Sequence, residues 1–502
     1  MRKSDEGRTR SYWEATASLI DSAAEMPSEA DACIIGGGIA GLSTAYMLSS
    51  AGKKVVVFDD GLIGGGETCR TTAHISNAID DRIYRIVEWH GMEKARLAVQ
   101  AHTQAIDQIE RIVNDEKIDC DFERLPGYLI EAKESDDDLD KEIAACRHCG
   151  LNDVEFVDRV PTGHFDSGRC LRFPRQAQFH IVKYLNGLAG AIESHGGTLL
   201  SNTRIAEWKG GDHPSVVTAD GRSCNGKAVV LATNYPIMTK MFAQLPAYRT
   251  YVVGLQVPRS SVEPMLVWDT GDPYIYVRTQ RNGSDDILIV GGEDHRTGQA
   301  DDGDARFGKL EAWARERFPD AGESLYRWSG QFLETHDGLA FLGRHSDDKP
   351  NVYLITGDSG MGMTHCTIGA MLVSDLISGR DNPWKNVFDP SRLATQSIKQ
   401  AVPEIVNSTI PYVDWLTPSE INSADELKNG DAAILREGTT KIAVYRDDQG
   451  SIHRRSAVCT HMGCIVRFNS TERTWDCPCH GSRFSLDGEP INTPAMTPLP
   501  PA

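Results

Sequence analysis

Residues 31–41, DACIIGGGIAG, decide the fold. A short apolar strand, Ala32–Ile35, runs into the spacing G-x-G-x-x-G at Gly36, Gly38 and Gly41. Ile39, Ala40, Leu42, Ala45, Met47 and Leu48 then read as a helix that Gly52 stops, and Val55–Phe58 reads as a second strand leading into Asp59 and Asp60. Glycines at these places permit a tight turn and let a pyrophosphate approach the positive end of a helix, and an acid closing the second strand is placed for a ribose hydroxyl. The stretch predicts a dinucleotide-binding βαβ unit, with Gly36, Gly38, Ile39, Ala40, Gly41, Asp59 and Asp60 at the cofactor. The motif alone does not distinguish NAD from FAD.

The same stretch has no charged side chain from Ala32 to Gly52, which is long enough to cross a bilayer. Its five glycines, with Ser43, Thr44, Ser49 and Ser50, fit a buried βα unit instead. The whole chain of 502 residues has room for roughly three structural units. With 40% hydrophobic and 25% charged residues it is ordinary globular protein, neither disordered nor collagen-like. Lys+Arg 52 against Asp+Glu 71 gives a net charge of −19. That excludes the basic field that non-specific nucleic-acid binding needs and suits an anionic membrane surface badly. Residues 1–31 carry no apolar core of a secretory signal, and eight cysteines from Cys33 to Cys366 are scattered as in reduced proteins, so a cytoplasmic protein is expected.

Outward from the glycine turn, residues 92–115 and 180–195 carry helical apolar spacing, and Val216–Thr218, Ala228–Ala232, Tyr251–Val257, Tyr274–Val277 and Ile287–Val290 read as strands. Val352–Thr356 is a strand before a second glycine-rich turn, with a helix over about 364–378. Prolines 383, 390, 403, 411 and 418 interrupt the next stretch as in a linker, and short alternating strands such as Lys441–Tyr445 follow. The acidic run Glu134–Asp140 reads as a solvated loop or helix start, and the lone Cys146-x-x-Cys149 as incidental.

Three further segments bear on the cofactor. A polar loop, GGGETCRTTAH over 64–74, follows the second strand; Ala228–Asn234 ends in small polar residues; and TGDSGMGMTH over 356–365 opens a helix whose dipole would favour an anionic ring. With Trp328-Ser-Gly330 and Asp337–Gly343, these segments make residues 30–380 resemble the D-amino-acid-oxidase-like FAD family, the glycine and sarcosine oxidases and their relatives. The resemblance implies an FAD-binding Rossmann-type domain (about 29–85, 170–237 and 338–380) interleaved with an antiparallel-sheet substrate domain (about 86–169 and 238–337). It adds Arg70, Thr71, Thr72, His74, Ile205, Thr233, Gly357, Gly360, Gly362, Met363 and Thr364 to the expected FAD contacts. His74 stands where some relatives bond flavin covalently; non-covalent binding is the expectation here. Arg249, Tyr251, Tyr276, Arg278 and His295, on strands expected to cover the flavin, form the pool of substrate-pocket residues. Phe332 occupies the position where amino-acid oxidases of the family hold the substrate carboxylate with arginine, which speaks against a simple α-amino acid. No second G-x-G-x-x-G is present, so a pyridine-nucleotide reductase is disfavoured.

Near the C-terminus, Cys459-Thr-His461 and Cys477-Pro-Cys479-His480 each present a thiolate and an imidazole, fifteen residues separating His461 from Cys477. Two cysteines on one iron and two histidines on the other make a Rieske [2Fe–2S] centre, and zinc takes the same ligand types. The boxes resemble those of cytochrome-bc-type Rieske proteins. That resemblance implies Cys459, His461, Cys477 and His480 as ligands, a Cys464–Cys479 disulfide clamping the ligand loops, and Ser482 bonded to cluster sulfur. The tyrosine usual two residues later is Phe484, which implies a lower reduction potential.

The expected organisation is thus a polar arm over 1–28, an α/β (α+β) FAD-dependent oxidoreductase over 29–380, a linker over 381–418 and an all-β Rieske domain over 419–502. The expected activity is oxidation of a small-molecule substrate at a C–N bond by hydride transfer to FAD. Two electrons would then leave singly through the cluster to an external one-electron acceptor, as in a dehydrogenase. A homo-oligomer is compatible with this reading. A flavin/Rieske electron-transfer module serving a partner protein, or a redox sensor, stands as the alternative. A Rieske oxygenase is disfavoured because no His-x-x-x-x-His spacing for mononuclear iron occurs among the fifteen histidines.

Overall fold

The computed structural model describes residues 9–132, 135, 137–237, 245–346, 349–392 and 410–502. Ala32–Ile35 lies at the centre of a six-stranded sheet in the order 341–344, 352–356, 228–231, 32–35, 55–58, 198–200, parallel except for its first pair. Its central strands are buried on both faces, which is why they read as unbroken apolar runs. Ile39–Ser50 and Gly362–Ile377 pack together on one face. Both begin at the same end of the sheet, so both glycine turns open into one crevice.

A nine-stranded, mostly antiparallel sheet carries the interleaved part, in the order 324–333, 247–258, 285–296, 275–282, 266–269, 123–130, 170–178, 74–75, with 155–157 paired beside 170–178. The C-terminal unit has two small antiparallel sheets, 432–456 in three strands and 467–492 in four. This is the expected architecture: an α/β dinucleotide domain, an interleaved sheet domain and a small all-β unit.

The ends of the expected arm and linker behave differently from free tethers. Within 1–28, the helix Tyr12–Thr16 starts from a capping box at Ser11 and Glu14 and buries Tyr12 and Trp13. The Trp13 indole donates to Thr71 O at 2.6 Å, tying the segment to the cofactor loop. Within 381–418, Trp384, Val387 and Phe388 are buried on the dinucleotide domain, and Arg392 forks onto Asp337 at 2.7 and 2.8 Å. Residues 393–409 lie outside the described residues. The far end, Ile410–Trp415, is a 3₁₀ turn against the C-terminal unit. In the acidic run, Asp137 pairs with Arg82 and Arg85 and Asp138 caps the helix Leu139–His148; Glu134 and Asp136 lie outside the described residues. Cys146 and Cys149 are free and buried.

Candidate functional site

The turn at the head of Ile39–Ser50 is built for close backbone approach. A Cβ at Gly36 or Gly41 would collide with the carbonyl oxygen of Ala232 or of Gly36, and one at Gly38 would come within 2.8 Å of Thr68 Oγ1. Gly37 N donates to Asp59 Oδ2 at 2.7 Å, and Ile39 N to Thr68 Oγ1 at 3.2 Å. In front of this turn lies a cavity of about 330 Å³.

All the expected dinucleotide contacts line that cavity except Gly41 and Thr364. Gly41 instead sets the helix against Gly36, and the Thr364 hydroxyl pairs with His102 Nδ1 at 2.8 Å. His74 meets Thr72 Oγ1 at 3.0 Å and Val277 O at 3.3 Å, and burial beside Arg278 pulls its pKa down to about 3, so it is neutral. Backbone amides at a helix N-terminus, glycines that admit a diphosphate and an acid at the ribose position fit FAD.

The substrate pool divides. Tyr276 and Phe332 line the cavity; Arg249, Tyr251, Arg278 and His295 do not, and that expectation is corrected. Successive residues of a strand face opposite ways. On 247–258, Thr250 faces the cavity and bonds Tyr276 OH at 2.7 Å, while Tyr251 turns to the other face and stacks on His295. Arg249, fully buried, donates to Ser329 Oγ at 2.6 Å. Arg278 braces the cofactor loop through the carbonyls of Thr72, Ala73 and Phe179. Sequence reasoning missed Glu67, Thr68, Asp80, Tyr235, Tyr274 and His365, all on the cavity wall. Glu67, Thr68 and His365 lie inside segments already read as cofactor loops. Asp358 lines the cavity with its pKa pushed up to about 6 by burial, and nearby Asp81 and Asp294 are pushed up to about 7 for the same reason.

In the C-terminal unit, two matching loops present the four expected ligands. Cys459 N bonds Cys464 O at 2.8 Å and Gly463 N bonds Cys459 O at 2.9 Å; Cys477 N bonds Ser482 O at 2.8 Å and Gly481 N bonds Cys477 O at 3.1 Å. The rings of His461 and His480 stand 5.0 Å apart. Hydrogen bonding within the buried Cys459–Cys477 pair, with Ser482, lowers the Cys459 pKa and raises that of Cys477. Cys464 and Cys479 form a disulfide with Cα atoms 6.6 Å apart. Cys477 also lies close to that pair, but the disulfide consumes both of their sulfurs, so they are no ligands. Two thiols and two imidazoles converging from two clamped loops fit a two-iron cluster.

The cluster loops are docked on the remainder of the chain. The rings of His461 and Tyr235 are 6.4 Å apart, and Gln331, on the cavity wall, donates to Gly481 O at 3.0 Å. Behind this contact is a set of three cations and three anions, all buried except the partly exposed Glu67. Glu472 meets Arg70 at 3.6 Å and Ser329; Asp476 meets Arg249 at 3.8 Å and Arg483 at 3.4 Å; Arg483 meets Glu67 at 3.8 Å. Each pair except Asp476–Arg483 joins the C-terminal unit to the remainder of the chain.

With this geometry in view, residues 31–376 match the FAD dependent oxidoreductase family and residues 417–502 the Rieske [2Fe-2S] domain. The chain is 30% identical over 500 residues, 97% of its length and 96% of the relative's, to the "Putative Rieske 2Fe-2S iron-sulfur protein YhfW" of Bacillus subtilis. It is 26% identical to the gamma-glutamylputrescine oxidoreductase of Escherichia coli, over 74% of this chain and 89% of that one. Glycine oxidase from Geobacillus kaustophilus superposes with a TM-score of 0.59 at 19% identity, covering 73% of this chain and 100% of that one, a likeness of fold.

Proposed function

The chain belongs to the FAD dependent oxidoreductase family and carries a Rieske [2Fe-2S] domain, and from that premise we propose that it oxidises the C–N bond of a small amine or N-substituted amino acid and delivers the electrons singly to an external acceptor. The observation that carries this reading is the shared wall. One cavity is lined by the dinucleotide fingerprint and by Tyr235, whose ring contacts the cluster-loop histidine His461.

Bound FAD supplies two-electron chemistry at the C–N bond, and the cluster supplies one-electron transfer. The chain's own residues supply position and charge. The glycine turn at the N-terminus of Ile39–Ser50 would face the diphosphate and Asp59 the ribose, with the Gly36, Gly37 and Ile39 amides held by Phe58 O, Asp59 and Thr68. Tyr274, Tyr276, Thr250 and Phe332 shape the substrate end. Phe332 stacks on Tyr248 at 5.9 Å and offers a carboxylate nothing, whereas Asp80 faces the cavity and suits an ammonium. The two lining arginines are engaged elsewhere, Arg70 by Thr9, Ser329 and Glu472 and Arg204 by Met496 O. The E. coli relative is named for a putrescine derivative, gamma-glutamylputrescine, which supports an amine substrate here. A nearby cluster supports a dehydrogenase over an oxidase. Among the described residues no helix is long and apolar enough to cross a membrane. Among the described residues the eight cysteines outside the cluster loops form no disulfide, Cys33 and Cys224 with sulfurs 3.7 Å apart among them, which supports a reducing compartment, the cytoplasm.

The test is anaerobic mixing of holoprotein with a panel of amines and N-methyl amino acids. One class should bleach the flavin absorbance, and the EPR signal of a reduced Rieske cluster should follow. Bleaching by no member, or a cluster that stays oxidised after the flavin is bleached, would refute the corresponding half of the proposal.

A further inference from the structure

Four residues of the Rieske domain, Ile491, Asn492, Thr493 and Met496, lie on the wall of the FAD cavity. Among the described residues, each polar anchor between this segment and the oxidoreductase part of the chain ends on a residue that lines the same cavity. Asn492 Nδ2 donates to Glu67 Oε1 at 2.9 Å, Thr493 Oγ1 to Tyr235 O at 3.2 Å, and Arg204 to Met496 O. The chain order gives the segment its place along the cofactor. Glu67 precedes Thr68, whose hydroxyl receives the amide at the head of the diphosphate helix. Thr203, just before Arg204, donates its amide to the carbonyl of Asp59, the ribose acid, at 2.6 Å. The segment therefore runs from the diphosphate end to the ribose end.

We propose that FAD is bound between the two domains, with Ile491–Met496 forming the wall over its ADP half, so that the Rieske domain is a fixed part of the flavin site and not a mobile electron carrier. This needs only the cofactor and is independent of substrate and acceptor. The buried ion-pair set holds the domain in register, and Gly481, φ +74°, has no room for a Cβ beside Ala247. By linkage, FAD then stabilises the docked domain, and docking tightens FAD to the same degree.

The experiment titrates FAD into full-length apo-flavoprotein that retains its cluster. Met496→Glu sets a carboxylate on the cavity wall at the ribose end, where Asp59 and Asp60 also line the cavity. It is expected to weaken FAD at least tenfold while the EPR signal of the reduced cluster stays as in wild type; Met496→Leu should keep wild-type affinity. Wild-type FAD affinity in Met496→Glu would overturn the proposal. Unaltered protein gives a second reading, the temperature at which the visible circular dichroism of the cluster is lost. Saturating FAD should raise it, and an unchanged temperature would overturn the proposal. A failed substrate panel changes neither readout, so the two proposals fail separately.

Discussion

Replacing Glu472 by Gln removes one charge from the domain interface while keeping its shape. The carboxylate is buried. It lies 3.6 Å from Arg70 Nη1, accepts from Ser329 Oγ and Thr9 Oγ1, and is held below the usual carboxylate range, against the cost of burial, by Arg70, Arg249 and Arg483. An amide oxygen in place of Oε1 can keep the two hydroxyl bonds, but an amide nitrogen in place of Oε2 loses the Thr9 N–H at 3.2 Å, so the loss is the charge and that bond, and Arg70, 2% exposed, stays buried without its ion-pair partner. Breaking a buried pair from one side costs about 3–5 kcal/mol, and the retained bonds place this variant near the lower end. At roughly 4 °C per kcal/mol for a domain of this size, cluster-monitored unfolding should fall by about 12 °C. The assay follows visible circular dichroism of the cluster on heating. A depressed acid contributes stability that is complete above its unfolded pKa, about 4.3, and is lost as pH falls through the lower folded value. Wild type should therefore lose this margin only in acid, and the variant should lack that acid limb. A fall under about 2 °C at pH 7 would show that Glu472 is solvated, and the buried interface inferred from it would be wrong.

Gly38→Glu should lower FAD affinity more than 100-fold, because the side chain must enter beside Thr68 Oγ1 at the diphosphate position; flavin absorbance at the wild-type ratio would contradict the placement. His480→Cys replaces a neutral ligand by a thiolate and should lower the cluster's midpoint potential by roughly 200 mV or more in an EPR-monitored redox titration; an unchanged potential would remove His480 from the ligand set. Asp81 and Asp294, near pKa 7, and Asp358, near 6, bind protons more tightly folded than unfolded. Their contribution is complete below the unfolded value, about 3.9, and is lost as pH rises through the folded values, so the FAD-free protein should lose thermal stability between about pH 4 and 7. Asp294→Asn should flatten that slope, and a stability that rises across the window would refute the burial of these acids.

The strand–turn–helix at 32–50 and the paired cysteine–histidine boxes were legible because each is contiguous, and its chemistry demands glycine or ligand residues at fixed offsets. The lengths of 92–115 and 181–194 followed from apolar spacing for the same local reason. The arm was less legible. Ser11 and Glu14 form a capping box, but a five-residue helix has too little periodicity to show, and only tertiary packing buries Trp13.

The pocket residues failed where one alternation of a strand decides the answer. Arg249 and Tyr251 share a face with Val253, Leu255 and Val257 and pack away from the cavity, whereas Thr250, between them, reaches it. Tyr251, Val252 and Val253 are apolar in succession and both faces of this strand are covered, so the sequence marks no side as the site. Arg278 shares the cavity face with Tyr276, yet its guanidinium is spent on three loop carbonyls, a destination that no property of the strand encodes. The Rieske wall was the least legible part. Asn492 finds Glu67 across 425 residues of chain, and a polar residue after a short strand carries no local sign of its partner. The acids and arginines at 67, 70, 249, 472, 476 and 483 gain a role from sequence reading only at Arg70, at FAD, and at Arg249, in the substrate pocket, and neither role contains the pairing. They make sense only as a balanced set, because three cations and three anions can be buried together where any one alone would force the domains apart.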